Sequence, residues 1–319
     1  MKAATVSLCR ANSYDDSVLR NALIQVLEPL GGISAFVKPG SRVLLKPNLL
    51  TGARPQKECV TRPEIVRCVA QLVLEAGGKP FLGDGPAFGS ARGVAVANGY
   101  QPLLEELNLP VVEFSGKRYQ TVSDTFNHLL LSKEAMEADV TINLPKVKSH
   151  VQLTMTLGVK NLFGCVPGKM KAWWHMEAGK DSGRFGEMLV ETARAIAPDL
   201  TILDGIIGHE GKGPSGGEPR FLGILGAADN VFALDRAFLE ILQVDLATVP
   251  TAAAASRLNL CPEMVDFPLL TPTELQVSDW KLPEALVPID FGMPRVIKST
   301  FRHFYIRFIK EPLALYGRS

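Results

Sequence analysis

The stretch from Arg42 to Gly85, RVLLKPNLLTGARPQKECVTRPEIVRCVAQLVLEAGGKPFLGDG, constrains the fold of this chain more than any other. Its first apolar run reads as a strand broken at Pro47, because proline cannot donate to a ladder. Thr61 stands where a helix N-cap is needed and Pro63 falls in the first turn. EIVRCVAQLVLEA then carries apolar residues at helical spacing, and Gly77 can end the helix. KPFLGDG returns as a second strand. Two strands joined through a helix form a β-α-β crossover, which requires parallel pairing.

The same alternation runs along most of the chain. ATVSLC, PVVEF, DVTINL, LTILDGI and FLGILGA read as strands. DDSVLRNALIQVLEPL, GVAVANGYQPLLEEL, SKEAMEA, a segment from about Val151 to Phe163, RFGEMLVETARAIA and NVFALDRAFLEILQV read as helices. The expected fold is α/β: a mainly parallel, doubly wound sheet flanked by helices, followed after about Thr248 by an irregular Pro-rich region and a terminal amphipathic helix. One domain over residues 1–319, or two packed lobes at 1–175 and 176–319, accounts for the pattern. There is no internal repeat.

Composition narrows the function classes. With 34 basic and 33 acidic residues the chain has no global positive field of the kind a general nucleic-acid binder uses, so nucleic acid is not expected as a partner. The start, MKAATVSLCR, lacks the apolar segment of a signal peptide. No uncharged run approaches the ~20 residues that span a bilayer, and a cytoplasmic location is expected. The five cysteines, Cys9, Cys59, Cys68, Cys165 and Cys261, contain no C-x-x-C pair, which speaks against a zinc ribbon and against an intrinsic 4Fe-4S cluster.

In open α/β sheets ligands bind beyond the carboxyl ends of the strands. That rule selects four segments: Lys46–Asn48, Gly83–Gly89, Pro145–His150 and Asp204–Gly217. The glycines of GDGPAFG are spaced G-x-G-x-x-x-G and miss the dinucleotide fingerprint, so a tight strand-to-helix turn is the simpler reading. GPSGG around Ser215 lacks the strand and helix that a nucleophile elbow needs. GKMK and GKG miss the phosphate-loop spacing.

Within NLPKVKSH, Lys146, Lys148 and His150 are spaced by two, so an extended backbone puts them on one side. A helix opening at Val151 would add partial positive charge. Together they suit a small anionic molecule, a carboxylate or phosphate; solvated loop lysines are the bland alternative. Lys46, Asn48, Lys160, Asn161, Glu210 and Lys212 are further candidate ligand contacts. Asp84 and Asp204 are carboxylates for proton handling or a metal of unassigned identity, and His150 and His175 are general acid–base candidates. Cys165, near Lys160, Lys169, Lys171 and His175, is either a low-pKa thiol or a small buried hydrophobe. His209 shares the glycine-rich segment with Glu210 and Lys212, where permissive backbone would let amides approach an anion.

VLLKPNLL, VTRPEIVRCVAQLVLEAGG, LGDGP, NLPKVKSHVQLTMTLGVKNLFGCVPG and DGIIGHEGKGPSGGEPR with LGILGAADNVFALD together resemble the domain-of-unknown-function family 362, over roughly Arg42 to Asp235. The resemblance implies no general reaction. Many members are described as iron–sulfur proteins and carry a ferredoxin-like module with closely spaced cysteines; with no cysteine after Cys261, no such module is expected here. Two functions follow as alternatives. One is an enzyme acting on a small anionic substrate. The other is a non-catalytic accessory or assembly protein, linked to iron–sulfur or electron-transfer proteins and working with a separate ferredoxin.

In VIKSTFRHFYIRFIK, residues 296–310, Ile297, Phe301, Phe304, Tyr305 and Phe308 form an apolar stripe with Lys298, Arg302, Arg307 and Lys310 around it. Packing of the stripe on the chain's own domain is expected in preference to a membrane surface.

Overall fold

The computed structural model describes residues 3–52, 57–114, 116–119, 125–126, 128–290, 301–302 and 304–312. Twelve strands are present among them: β1 (Ala4–Arg10), β2 (Arg42–Pro47), β3 (Lys79–Gly83), β4 (Val111–Val112), β5 (Gly116–Tyr119), β6 (Leu129–Ser132), β7 (Val140–Leu144), β8 (Lys146–His150), β9 (Thr154–Thr156), β10 (Leu200–Glu210), β11 (Glu218–Ala228) and β12 (Val265–Asp266). Eight follow the order β12-β1-β11-β10-β7-β2-β3-β4, with β8 branching from β10 and carrying β9. β5 and β6 form a separate two-stranded ribbon.

β2 pairs in parallel with both β3 and β7, as the crossover reading requires. Most ladders are parallel, but β11 lies antiparallel between β1 and β10. The sheet is therefore mixed. Period-2 alternation covers both its faces. On β2, Val43 and Leu45 enter one apolar cluster with the helices Asp16–Leu27 and Pro63–Glu75, whereas Leu44 enters another with the helix Ser182–Ile196.

Four local expectations are corrected. Val151 does not begin a helix: β8 turns back into β9, with Thr154 at φ +64 and Val151–Leu153 in the turn, and only Gly158–Asn161 is helical before a 3-10 turn at Leu162–Cys165. Asp204–Glu210 is not a loop but the second half of β10, so the glycine-rich segment shrinks to a hairpin turn at 211–217. Thr61 is not the N-cap, which is Arg62; its hydroxyl instead accepts from Asn48 N and donates to Leu144 O, joining the ends of β2 and β7. The region after Thr248 holds a helix, Pro250–Arg257.

The terminal amphipathic segment is helical over its described part, while 296–300 lie outside the described residues. Its seating reverses the expectation. The buried contact is polar: Ser90 N and Oγ donate to the Glu311 carboxylate, both at 2.8 Å. Phe301, Phe304, Tyr305 and Phe308 are exposed.

Candidate functional site

β2 and β3 end side by side, which brings Lys46 and Asp84 together. The Lys46 ammonium lies 2.6 Å from Asp84 Oδ1, and both side chains are buried. Lys46 Nζ also donates to Pro47 O at 2.8 Å and Asn161 Oδ1 at 3.3 Å, and Leu49 N donates to Asp84 Oδ2 at 2.9 Å. A buried ion pair must satisfy its remaining donors and acceptors in this way to offset desolvation. Gly164 covers the pair closely: a Cβ there would stand 2.5 Å from Lys46 Nζ. A side chain at this position would displace the pair.

The chain of amides continues inward. Asn48 Nδ2 donates to Asn161 Oδ1 at 3.0 Å, and Asn161 Nδ2 donates to Asn143 Oδ1 at 2.8 Å. On the other side, Asn48 Oδ1 accepts from Lys148 Nζ at 2.8 Å, and Lys148 also donates to Cys59 O at 2.8 Å. Asn161 owes its position to Asp235, which accepts from Gly158 N and Val159 N at 2.7 and 2.9 Å and so anchors the first turn of that short helix. Burial pushes the Asp235 carboxyl up to about 7, although those amide bonds pull it down.

Three lysines around this core have no carboxylate partner among the described residues. Lys148 is fully buried, and burial lowers its amine to about 8. Lys171, partly buried, donates to Gly85 O and is lowered to about 8 by burial and by Lys46. Lys160 retains some exposure, lies 4.3 Å over the Phe163 ring, and is lowered to about 7 by burial and by the neighbouring charges of Lys171, Lys148 and Lys46. Desolvation and mutual repulsion both disfavour the charged amines, so anything that binds an anion among them restores their charge. His150 faces the same charges; burial, Lys160 and Lys148 push its pKa well down, and its Nδ1 accepts from Gln152 N at 3.1 Å. Acceptance at Nδ1 fixes the neutral tautomer with the proton on Nε2.

A second ionic group lies at the start of β8. Lys146 Nζ is 2.9 Å from Asp204 Oδ2 and 3.5 Å from Glu58 Oε2, and it donates to Tyr14 OH at 2.9 Å. Tyr14 OH in turn donates to Asp204 Oδ1 at 2.7 Å. Burial and the Asp204 charge raise the Tyr14 phenol well above its ordinary value, so it remains a donor. Glu58 holds a left-handed backbone, φ +49, that aims its carboxylate at Lys146 while the next carbonyl, Cys59 O, meets Lys148. Non-glycine residues adopt that conformation at a cost that packing must offset. Outward from Tyr14 is a pocket of about 330 Å³, with Ser13, Arg62, Glu64 and Phe221 in its walls.

The structure thus brings Lys46, Asn48, Asp84, Lys148, His150, Lys160 and Asn161 together around one polar centre, with Lys146 and Asp204 in the adjoining ionic group. β8 is extended, so Lys146, Lys148 and His150 do share a side. The other candidates border this centre and make their closest contacts elsewhere. Cys165 is buried and its thiol is pushed up to about 12, which keeps it neutral and leaves it a packing residue of the core. His175 Nδ1 lies 2.9 Å from Ile289 O, with its ring against Phe163 and Phe185. Glu210 accepts from Lys281 N at 3.0 Å and Lys212 is exposed on the hairpin turn. His209 Nε2 accepts from Gly217 N at 3.0 Å, closing that turn; burial, then Lys148, lower its pKa to about 4. Among the described residues no three His, Cys, Asp or Glu side chains form a group that could hold a metal ion.

Sequence reasoning passed over Tyr14, Glu58 and Asp235 and gave Lys171 a role only beside Cys165. Tyr14 follows the carboxyl end of β1, so the strand-end rule could have found it; the other three reach the site from sequence-distant turns and helices without a local signal.

The doubly covered α/β sheet thus carries a lysine-lined polar centre at its strand ends, and sequence comparison identifies the family. The chain belongs to the family named Domain of unknown function (DUF362), whose model matches residues 43–240. It is 69% identical over 314 residues to the Thylakoid-associated protein sll1697 of Synechocystis sp., covering 98% of each chain. Among solved structures, the lactate racemase apoprotein of Thermoanaerobacterium thermosaccharolyticum is similar with a TM-score of 0.49 at 14% identity; 75% of this chain is covered and it spans 57% of that one.

Proposed function

We propose that the chain binds a small carboxylate or phosphate between Lys148, Lys160 and Lys171 and transfers a proton to or from it. The observation that carries this reading is the gathering of three partly or fully buried amines, lowered to about 8, 7 and 8, around ion pairs that already satisfy Lys46 and Lys146. An anion neutralises their repulsion. An amine near 7 also exchanges protons readily at physiological pH, and once a bound anion has charged it, it suits a general acid. Lys148 supplies a fixed donor because Asn48 and Cys59 hold it in place, and Lys160, over the Phe163 ring and without a side-chain hydrogen bond among the described residues, is the one assigned to exchange the proton. His150 Nε2–H is a neutral donor for the same ligand.

The test is a thermal-shift series at pH 7 with inorganic phosphate, sulfate, acetate and succinate at constant ionic strength. The reading expects at least one anion to raise the melting temperature of the wild type and to lose that effect in Lys148→Met. Equal response to all salts, in both proteins, would reduce the effect to general screening.

The relative's description places that protein at thylakoids, and we carry the placement to this chain as peripheral contact from the cytoplasmic side. No helix among the described residues is long and apolar enough to cross a membrane. Co-fractionation of tagged chain with washed membranes tests it; release of all the protein at the first low-salt wash would count against it.

A further inference from the structure

The helix formed by Phe301, Arg302 and residues 304–312 is seated with its aromatic side outward. Phe301, Phe304, Tyr305, Phe308 and Ile309 are exposed at 73%, 58%, 55%, 60% and 46%. A solvated helix rarely presents five large apolar side chains together, and a patch of this kind marks an interaction surface. The Phe304 and Phe308 rings stack on each other at 4.7 Å, one turn apart, which makes the patch continuous along the helix.

What holds the helix is a polar clasp on its other side. Glu311 accepts from Ser90 N and Ser90 Oγ; Arg307 lies 3.6 Å from Glu113 and 3.7 Å from Glu311; and the Arg302 guanidinium stacks on Phe88 at 4.8 Å. Phe88 and Ser90 close the loop that begins at Asp84. Glu311 fits there because Gly89 and Gly93 have no Cβ: one added at either would meet its carboxylate. The clasp therefore fixes the direction of the aromatic face and ties the helix to a loop of the candidate site.

We infer that this helix is an interfacial docking element for an anionic lipid surface, which deepens the peripheral placement proposed above and rests on it. Charge selects the occupant. Arg302 and Lys310 are exposed on the same short helix, and Arg302 and Arg307 bound it on the clasped side. Aromatic side chains bounded by cations match the boundary between acyl chains and acidic headgroups. A second copy of the chain would set these cations against each other across a two-fold axis. Lipid contact would bear directly on the Phe88–Ser90 end of the site loop.

The experiment uses the full chain and sedimentation with vesicles of phosphatidylcholine containing about one-third phosphatidylglycerol, against phosphatidylcholine alone. Wild type should pellet with the anionic vesicles and only weakly with the neutral ones. Phe304→Glu/Phe308→Glu should lower the partition about tenfold or more with an unchanged melting temperature, since both rings are exposed. Lys310→Glu should weaken binding to the anionic vesicles alone. If the double variant pellets as wild type does, the surface assignment fails while peripheral contact stands. If wild type binds neither vesicle, both fail. A dimer in sedimentation velocity that the double variant abolishes, without vesicle binding, gives the face to a second copy and overturns the proposal.

Discussion

Replacing Lys160 by methionine should make the protein more stable, an uncommon outcome for removing a lysine from a ligand site. Methionine keeps the length and the contact with Phe163 but removes the charge. The amine falls from 10.5 in the unfolded chain to about 7 in the folded one. At about 1.4 kcal/mol per pH unit, the charged form costs at most about 5 kcal/mol. Lys160 keeps partial exposure, and water screens it, so a gain of about 1–3 kcal/mol is expected at pH 7. That is a rise of a few degrees in melting temperature. The sign with pH follows from linkage. Between pH 7 and 10.5 the unfolded chain holds the proton that the folded chain has released, so wild-type stability rises with pH across this window. The advantage of Lys160→Met should then shrink to less than about 1 kcal/mol by pH 10. Differential scanning calorimetry of both proteins at pH 7 and pH 10 measures it. A lower melting temperature in the variant, or a gain that is the same at both values, would refute the reasoning.

Asp84→Asn should cost about 3–5 kcal/mol in denaturant unfolding, because it leaves Lys46 charged and unpaired in a buried site, and adding Lys46→Met should recover much of that loss. Gly164→Ala should destabilise the protein and weaken anion binding together, because its Cβ would enter the space of Lys46 and Asp84. Tyr14→Phe should cost about 1–3 kcal/mol by leaving Asp204 Oδ1 and Ile207 N short of a partner, and leave the anion response unchanged; loss of that response would join the two ionic groups into one site.

The β-α-β unit at 42–85 was legible because proline, glycine and helical periodicity agree within it. The row of Lys146, Lys148 and His150 was legible too, since alternation depends only on an extended backbone. The segment after His150 was not. VQLTMT has apolar residues that fit a helix as well as a strand, and the turn to β9 depends on Thr154 in a left-handed conformation and on Val287 N donating to Val151 O from far along the chain. Asp204–Glu210 was misjudged for a related reason: its glycines serve close packing in a hairpin, Gly208 against Trp280 and Gly205 against Phe238, and not an open loop. Charge alone did not separate paired from unpaired lysines. Lys46 and Lys146 looked like anion contacts, yet Asp84 and Asp204 occupy them, and it is burial without a carboxylate that singles out Lys148, Lys160 and Lys171. The terminal helix misled in the opposite direction, because an apolar stripe reads as core until the fold shows which side is clasped.

The central claim is that the three lysines regain charge when an anion binds. Titration calorimetry at pH 8 with sulfate and succinate, neither of which changes its own protonation there, reads this directly when repeated in two buffers of different ionisation enthalpy. Lys148 and Lys171 are about half charged at that pH and Lys160 mostly neutral. Binding should therefore take up between about one and two protons per chain, and the uptake should fall in Lys160→Met. Binding with the same heat in both buffers, and so without proton uptake, would contradict the account.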